Sequence, residues 1–462
     1  MSRVDLRLSG GSVLLPGLGL READVLVGEE RVLAITEPGA GAEAAETVSV
    51  TGLTVLPGGC DVHLHLGHGN DISRPRVPSD AATETAAAAI GGVTTFIPYV
   101  MSATPYAAQF EELRDVTQAG ARIDFGFHFV ISTDEQLAEL PRYISEFGVP
   151  TAKLFMNIRG DEGKRLGLPG TDDGFLYRLL ESLEMHGGML CPHPENIEIA
   201  WILRDRVLAK DPEGKGGLAT WNATRPPFVE ADAVRRACYF GRITGAPVYT
   251  VHTSSGEALA AAVEQRAQGT NVMVETCAHY LTHDTTSDVG TKGKVNPPLR
   301  DPADREALWE GIKNGSVNTI ATDHIHRPVA SKDGNIWEAG PGFPGLDAFL
   351  PAVFTEGHHR RGIALEKLAE MVTSRPADAM GLSPAKGRIA PGADADFAIL
   401  DMNSPWTVER SGLATDAGYS IYEGHEMSCR VVHTIARGRF IVRDGTLTEG
   451  MEGTGRFLPR SL

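Results

Sequence analysis

One stretch of the sequence indicates the fold and the chemistry most directly: Leu56-Pro57-Gly58-Gly59-Cys60-Asp61-Val62-His63-Leu64-His65. Its alternating apolar residues are typical of a strand buried in a core. Because side chains alternate along a strand, Asp61, His63 and His65 project to one face and the apolar residues to the other. Two imidazoles and a carboxylate cannot lie unpaired in an apolar core, so they predict a metal site. The alternative is a surface strand with incidental histidines, which the apolar residues between them disfavour.

Runs of β-branched and aromatic residues occur eight times along the chain, separated by stretches rich in Ala, Leu and Glu. Strands that alternate with helices favour βαβ units and a parallel sheet. Eight such units indicate an α/β protein with a closed, TIM-like (β/α)8 barrel, whose usual size is ~250 residues. The predicted strands span residues 54–66, 92–100, 122–130, 151–156, 189–194, 247–253, 271–279 and 319–326.

The two ends of the chain have a different texture, with short alternating runs separated by glycines. Neither end holds enough strands for a stable sheet, so we expect the two to pair into one small, β-sandwich-like domain. The predicted organisation is therefore residues 1–53 and 386–462 in the small β domain, the latter with the tail, and residues 54–385 in the barrel.

The composition excludes several classes of partner. Of the 462 residues, 42% are hydrophobic and 22% charged, which excludes a disordered chain. No run of ~18 apolar residues offers a membrane helix. The formal net charge is −17, and Lys and Arg do not cluster. We therefore expect no nucleic-acid partner and no membrane partner.

The cysteines predict the compartment. Five are scattered along the chain without a CxxC pair, a pattern typical of reduced thiols in a cytoplasmic protein. The N-terminal residues 1–17 carry charges within a short apolar run and no small-residue cleavage site, so no secretory signal is expected.

Further polar residues occur at the ends of later predicted strands. His193, His252, His279 and Asp323 each end a separate strand, which is where barrel enzymes place catalytic groups. Any one of them alone is typical of a satisfied core residue; together they indicate a site. Lys153 lies in the middle of a predicted strand, where a lysine is costly unless neutral or paired, although its side chain could instead reach the surface.

These motifs, in this order, resemble the cyclic amidohydrolases of the amidohydrolase superfamily: the hydantoinases (dihydropyrimidinases), dihydroorotases and allantoinases. The resemblance covers nearly the whole chain. It rests on the opening stretch, on Thr151-Ala152-Lys153-Leu154-Phe155-Met156, His193-Pro194-Glu195-Asn196, His252-Thr253-Ser254-Ser255, Glu275-Thr276-Cys277-Ala278-His279-Tyr280-Leu281, Lys294-Val295-Asn296-Pro297-Pro298-Leu299-Arg300, Ala321-Thr322-Asp323-His324, Gly342-Phe343-Pro344-Gly345-Leu346 and residues 386–396.

The resemblance implies a centre of two divalent metal ions, zinc in the first place and manganese or cobalt as alternatives. In relatives the lysine that matches Lys153 carries a CO2-derived carbamate that bridges the two ions. A bridging hydroxide would open a cyclic amide, imide or ureide at a C–N bond, with Asp323 as the proton shuttle. The implied ligands are His63, His65 and Asp323 for one ion, His193 and His252 for the other, and Lys153 for both.

The residues that would select the substrate depart from each named relative. Gly67 stands where dihydroorotases have an arginine that grips the substrate carboxylate, and Ile158 where dihydropyrimidinases have a tyrosine. We therefore expect weak or no activity on dihydroorotate and dihydrouracil, and turnover of another cyclic amide or ureide. The candidate substrate contacts are His68, Asn157, Arg159, Asn296 and His279, the last orienting substrate or a ligand. Three loop arginines, Arg74, Arg76 and Arg159, are further candidates for binding a substrate carboxylate.

Two other functions stay open. A mononuclear-metal deaminase on the same barrel would need no strand lysine, so Lys153 counts against it. A non-catalytic, dihydropyrimidinase-like assembly protein would have lost metal ligands, whereas every ligand position here is filled. Metal content separates the three readings: two ions per chain, one, or none. The resemblance also implies a homodimer or a homotetramer.

Overall fold

The computed structural model describes residues 4–160, 163 and 166–462. The strands before the barrel are β1 (Leu6–Leu15), β2 (Gly19–Gly28), β3 (Arg31–Thr36), β4 (Glu46–Ser49) and β5 (Thr54–Pro57). The barrel strands are β6 (Gly59–His65), β7 (Val93–Val100), β8 (Asp124–Phe125), β9 (His128–Val130), β10 (Thr151–Phe155), β11 (Met189–His193), β12 (Val248–Thr250), β13 (Val272–Cys277), β14 (Thr319–Ala321) and β15 (His324–Ile325). The strands after it are β16 (Phe397–Asp401), β17 (Trp406–Thr407), β18 (Glu426–Met427), β19 (Arg430–Ala436), β20 (Arg439–Arg443) and β21 (Thr446–Leu447).

The described helices alternate with the barrel strands. They are α1 (Pro78–Ile90), α2 (Phe110–Gly120), α3 (Asp134–Ser145), α4 (Asp173–His186), α5 (Ile197–Lys210), α6 (Gly217–Thr224), α7 (Pro227–Thr244), α8 (Gly256–Ala267), α9 (Ala278–Thr282), α10 (Pro302–Asn314), α11 (Phe349–Phe354), α12 (Leu365–Val372) and α13 (Ser374–Ala379). None of these helices combines the length and the apolar composition needed to cross a membrane.

The barrel strands form one parallel sheet in the order β14-β13-β12-β11-β10-β9-β7-β6-β15, with β8 beside β7. The ends of this order meet, because β14 and β15 belong to one segment that pairs with β13 on one side and with β6 on the other. The sheet therefore closes on itself, and the predicted α/β barrel is confirmed. Its first strand is buried throughout, as the apolar alternation predicts.

The predicted strand 54–66 is wrong in one respect, since it is two strands in two sheets. β5 pairs antiparallel with β16 in the small sheet, whereas β6 pairs with β7 in the barrel. Gly58 separates them at a point where any side chain would collide with Thr94. Without a Cβ, glycine allows this close approach between the two sheets.

The small sheet is built from both ends of the chain, as predicted. Its strands run in the order β21-β20-β19-β16-β5-β1-β2-β3, with β4 beside β1. The antiparallel pairing of β5 with β16 joins the N-terminal strands to the C-terminal ones. The segment boundaries 1–53, 54–385 and 386–462 stay predictions, and residues 1–3 lie outside the described part of the chain.

The C-terminal tail covers the amino-terminal end of the barrel. The Phe125 amide donates to the Arg456 carbonyl at 2.9 Å, and the Leu458 amide donates to the Phe125 carbonyl at 2.7 Å. The buried guanidinium of Arg460 donates to the Thr151 hydroxyl at 3.0 Å and to the Phe127 carbonyl. These contacts cover the end of the barrel opposite the carboxyl ends of its strands.

A buried lysine joins the barrel to the small sheet. Lys386 Nζ lies 2.6 Å from an Asp124 oxygen at the barrel strand β8, 2.9 Å from Asp394 and 2.7 Å from Asp396. All four side chains are buried, and these carboxylates hold the pKa of Lys386 above its usual value although burial works against this. The charge of Lys386 therefore compensates carboxylates from both parts of the molecule.

Replacing this lysine should destabilise the whole protein. Lys386→Met removes the cation that three buried carboxylates share: Arg437 still pairs with Asp124 and Arg31 with Asp394, but Asp396 loses its ion-pair partner. We expect the free energy of unfolding to fall by about 3–5 kcal/mol. The matched control is Lys313→Met, since Lys313 is exposed and pairs with Glu310 on the surface; its effect should stay within about 0.5 kcal/mol. Urea unfolding of both variants checks this, and equal losses would contradict the role of Lys386.

Candidate metal centre

The barrel brings together residues that are far apart in the sequence. His63 and His65 lie on β6, Lys153 on β10 and His193 at the end of β11. His252 follows β12, and Asp323 lies between β14 and β15. Since the carboxyl ends of parallel strands meet at one edge, these side chains converge there. At least 95% of the surface of each residue is buried.

His63, His65 and Asp323 form the first cluster. Asp323 Oδ1 lies 3.2 Å from His63 Nε2 and 3.6 Å from His65 Nε2. One ligand atom from each of the three residues lies within 4.8 Å of the others, close enough to hold one ion. Burial opposes ionisation of Asp323, but the two histidines hold the pKa of its carboxyl well below the usual value. Asp323 is therefore an anion in this environment.

His193 and His252 form the second cluster. His252 Nε2 lies 2.9 Å from His193 Nδ1, so the two rings present nitrogens to the same point. Burial lowers the pKa of both imidazoles, which keeps them neutral. Neutral imidazole is the form that binds a metal ion.

Lys153 lies within the same buried edge. Its Nζ lies 4.4 Å from the centre of the Tyr99 ring and 5.4 Å from that of Phe155, and it has no hydrogen-bond partner among the described residues. Burial lowers the pKa of this amine to about 8, although Asp323 and Glu275 favour the charged form. The side chain is fully buried and does not reach the surface.

Two carboxylates behind the histidines set which ring nitrogen carries the proton. His63 Nδ1 donates to Glu275 Oε1 at 2.6 Å, which leaves the lone pair on Nε2. His193 Nε2 donates to Glu195 Oε2 at 2.7 Å, which leaves the lone pair on Nδ1. Carboxylates in this position orient metal-binding histidines and raise their basicity.

The backbone at the site is held in an unusual conformation. His252 and Asp323 have φ values of 40° and 47°, in the left-handed region that non-glycine residues rarely adopt. Hydrogen bonds hold both residues there: the His252 amide donates to Glu275 at 2.9 Å, and the Asp323 amide donates to the His63 carbonyl at 2.8 Å. Such strain is concentrated at functional sites, where surrounding contacts maintain it.

The donor set fits divalent metal ions. Two of the buried nitrogens that face this site lack a hydrogen-bond partner in the described part of the chain: His63 Nε2 and Lys153 Nζ. Leaving such groups unpaired in a dry interior costs free energy, which bound ions would offset. Imidazole and carboxylate ligands suit zinc and the neighbouring transition metals.

A cavity of about 340 Å³ leads from this edge to the surface. His65, Lys153, His193, His252 and Asp323 lie on its inner wall. Its side walls include the apolar residues Ile72, Met101, Phe155, Ile158 and Ile325, and the polar or aromatic residues Asn157, Trp221, Lys294, Asn296 and Trp337. The cavity can therefore hold a small molecule against the predicted metal ligands.

The structure brings two of the predicted substrate residues to this cavity. Asn157 donates to Glu195 Oε2 at 3.3 Å, and its carbonyl oxygen has no partner in the described part of the chain. Asn296 lines the opposite side, where its carbonyl oxygen accepts from Trp221 Nε1 at 3.1 Å. Both amides can therefore form hydrogen bonds with a ring N–H or C=O.

Three other predicted substrate residues are not among the described residues that line the cavity. His68 is exposed and pairs with Asp80 at 3.0 Å. Arg159 turns away and forms an ion pair with Glu198. His279 is buried behind the wall beside Phe343, and burial lowers its pKa to about 4.

Three residues at the site, Glu195, Glu275 and Tyr99, were not predicted to have a role there. Glu195 and Glu275 lie in the motifs that resemble the cyclic amidohydrolases, and alternation along β13 is a usable signal for an inward-facing Glu275. Tyr99 gives no such signal, because an aromatic residue in a buried strand is typical of the core. Its place beneath Lys153 Nζ depends on the curvature of the barrel, since β9 lies between β7 and β10 in the sheet.

A parallel barrel with histidines, a lysine and a carboxylate gathered at its carboxyl edge defines a class of barrel proteins with a metal centre at that edge. Comparison with known proteins gives the family. The Amidohydrolase family model matches residues 249–441. An allantoinase from Deinococcus radiodurans is 34% identical over 99% of this chain and 100% of its own length. The chain belongs to the amidohydrolase family.

Other relatives support the same placement over the full length. A D-hydantoinase from Geobacillus stearothermophilus is 31% identical, covering 98% of this chain and 96% of its own. Among solved structures, the dihydropyrimidinase from Brevibacillus agri superposes with a TM-score of 0.90 at 28% identity, covering 100% of this chain and 99% of that one. The L-hydantoinase from Arthrobacter aurescens superposes with a TM-score of 0.90 at 27% identity, covering 99% of this chain and 100% of that one. The predicted resemblance to cyclic amidohydrolases is confirmed.

The carboxylate behind His63 gives a test of the metal centre. Glu275→Gln keeps the shape but removes the charge that orients His63, so zinc affinity should fall about 10–100-fold. The control is Glu264→Gln, since Glu264 is on the surface of α8 and pairs with Arg235. Titration against a chelating dye measures both affinities. Unchanged zinc affinity in Glu275→Gln would show that Glu275 does not support the ligand.

Proposed function

We propose that this protein is a binuclear metal-dependent hydrolase that opens a cyclic amide, imide or ureide at a C–N bond. The observation that carries the proposal is the position of Lys153 Nζ, which is buried without a hydrogen-bond partner in the described part of the chain. The histidine pairs and Asp323 lie at the same edge of the barrel. A buried amine without a partner costs free energy, and conversion of Lys153 to an anionic metal ligand would account for its position.

The residues divide into two ligand sets. His63, His65 and Asp323 would hold one divalent ion, and His193 and His252 the other, with Lys153 shared by both. Zinc suits this mixture of imidazole and carboxylate ligands, and manganese or cobalt are the alternatives. When bound, two such ions lower the pKa of a water molecule and polarise the scissile carbonyl.

The modification of Lys153 is chemically balanced. The lowered pKa of Lys153, about 8, makes the neutral amine accessible near physiological pH. The neutral amine adds to CO2, a new N–C bond forms as one C–O π bond breaks, and the nitrogen releases one proton, so that a neutral amine becomes an anionic carbamate. Cations bound at the neighbouring ligands would favour the resulting negative charge.

The chain's own residues then carry out the proton transfer and the positioning. Asp323, whose pKa is held low, accepts the proton of the attacking water and delivers it to the leaving ring nitrogen. Asn157 and Asn296 pair with the ring amide from two sides of the cavity. Ile158 lines the wall where dihydropyrimidinases have a tyrosine, so the substrate carbonyl is polarised without a phenol.

The two alternatives receive less support. A mononuclear deaminase would leave Lys153, His193 and His252 without a common role, and an assembly protein would not need a complete ligand set. The cytoplasmic location and a homodimer or homotetramer stay proposals. All five cysteines are buried and free, in keeping with reduced thiols.

Metal analysis and a substrate panel test the function. Purified protein should hold about two ions per chain and turn over members of a panel of hydantoins, allantoin, cyclic imides and lactams, with little turnover of dihydroorotate or dihydrouracil. Lys153→Ala should lose metal and activity but keep its fold, with partial rescue by short carboxylates. Lys210→Ala, a change at the end of α5, is the control. Full metal content and near wild-type turnover in Lys153→Ala would refute the binuclear centre.

Asp323 gives a separate test of the proton transfer. Because Asp323 acts in the transition state, Asp323→Asn should lower kcat about 10²–10⁴-fold and change KM much less. Steady-state kinetics at matched metal content checks this. A loss of kcat below about tenfold would place the base elsewhere, with His279 the next residue to test.

A further inference from the structure

A second hollow lies beside the metal-site cavity. This outer hollow has a volume of about 640 Å³ and shares four lining residues with the inner cavity: Ile72, Met101, Leu166 and Arg327. Because the same residues border both spaces, the two are adjacent. A ring held at the metal centre would lie in the inner cavity, and a substituent long enough to extend past the shared residues would reach the outer hollow.

The outer hollow is polar, in contrast to the apolar strip that leads to it. Its walls include Asn70, Ser73, Ser102, Thr104 and Gln109. Hydrogen bonds order this surface: the Ser102 hydroxyl accepts from Gln109 Nε2 and from the Thr104 amide, each at 3.0 Å. Three of the residues that border both spaces, Ile72, Met101 and Leu166, are apolar and suit contact with an aliphatic chain.

Two arginines line the outer hollow, and their environments differ. Arg76 forms an ion pair with Asp71 at 2.8 Å and is largely exposed. Arg74 is partly buried and has neither an ion pair nor a hydrogen bond to the part of the chain that the structure describes. Asp71 also lines the hollow, but its carboxylate is used by Arg76 and by the Ser73 amide at 2.8 Å. Arg74 thus lines a polar space beside the site and has no anionic partner in the described part of the chain.

The environment of the Arg74 guanidinium indicates which kind of group it binds. The chain has 60 acidic and 43 basic residues, so a partly buried arginine without a carboxylate partner is unexpected. A guanidinium presents a planar set of donors that matches a carboxylate, and such charge-assisted pairs are among the stronger polar contacts. An anionic group of the ligand would supply the ion-pair partner that Arg74 lacks among the described residues.

We propose that Arg74 binds a carboxylate at the end of an acyclic substituent of the substrate, while the substrate's ring lies at the metal centre. The inference rests on the proposed function and names the substrate class more closely: cyclic amides or ureides with a carboxyalkyl side chain. Such a carboxylate is separated from the ring, so it differs from the ring carboxylate of dihydroorotate. For the latter, Gly67 offers no side chain, and none fits there, because a Cβ would collide with the backbone of Asp71 and Ile72.

The test compares carboxylates with their esters. A series of 5-carboxyalkyl hydantoins of increasing chain length is assayed beside the corresponding methyl esters, with wild type, Arg74→Gln and, as the control, Arg178→Gln, since Arg178 lies on the surface of α4 and pairs with Asp134. Wild type should prefer the acid at one chain length by about tenfold or more in kcat/KM. Arg74→Gln should lose this preference through KM, with kcat unchanged, because the contact is remote from the reacting atoms.

The esters and Arg178→Gln are the internal controls. Ester turnover should be the same in all three proteins, which shows that the fold and the metal centre are intact, and Arg178→Gln should keep the preference for the acid. Turnover of esters without a preference for acids in wild type, or a preference that survives in Arg74→Gln, would overturn this inference alone. Absence of turnover of every ring in metal-loaded wild type would overturn the proposed function as well.

Discussion

The cost of burying polar nitrogens at the carboxyl edge of the barrel is the constraint on which the rest of the site depends. An amine and several imidazoles lose their water there, and desolvation favours their neutral forms. Burial accordingly lowers the pKa of His65 to about 3 and that of Lys153 to about 8. Neutral nitrogens without hydrogen-bond partners have lone pairs available to a metal ion. The low polarity that makes the site costly in free energy also prepares it to bind cations.

The same constraint explains the layer of carboxylates behind the histidines. An imidazole bound at one nitrogen must donate from the other, and an unpaired N–H in this interior would add to the cost. Glu275 serves His63, and Glu195 serves His193. Glu195 is itself compensated, since Arg225 and His193 hold the pKa of its carboxyl low although burial opposes this. Each of these two histidines is therefore paired with a carboxylate behind it, and the Glu195 carboxylate is paired in turn with Arg225.

The segment that closes the barrel, between β14 and β15, also orients Asp323 toward the histidines. The Asp61 carboxylate accepts from the Thr322 amide at 3.1 Å and from its hydroxyl, and it ties the last strand segment to the first. His324, the next residue after Asp323, lies 2.7 Å from the buried carboxylate of Glu84 on α1. These contacts hold Asp323 at its positive φ and interrupt the strand there. The regular pairing of the last barrel strand is therefore interrupted at Asp323, and the Asp323 carboxylate faces the histidines.

Strand alternation and spacing were sufficient to predict the barrel and the small sheet from both ends of the chain, because both depend on periodic burial that the sequence displays. The break at Thr322 and Asp323 and the division of 54–66 at Gly58 were not predictable in this way, since both arise from contacts between distant segments. Among candidate site residues, those on strands lie at the barrel edge where alternation puts them. Those on loops do not follow such a rule: Arg159 turns to Glu198, and His68 turns to Asp80.

This difference has a consequence for how substrate choice is encoded. Strand positions are determined by the barrel, so a resemblance in sequence carries over to their placement. The position of a charged side chain on a loop depends on its local ion-pair partner. One such ion pair determines whether the side chain is available to the ligand. Arg76 and Arg74 are two residues apart on one loop, yet Asp71 neutralises the first, whereas the second lines the hollow without an anionic partner in the described part of the chain. In the proposed function, substrate selectivity therefore depends on ion-pair competition among loop residues, while the placement of the candidate metal ligands depends on the barrel itself.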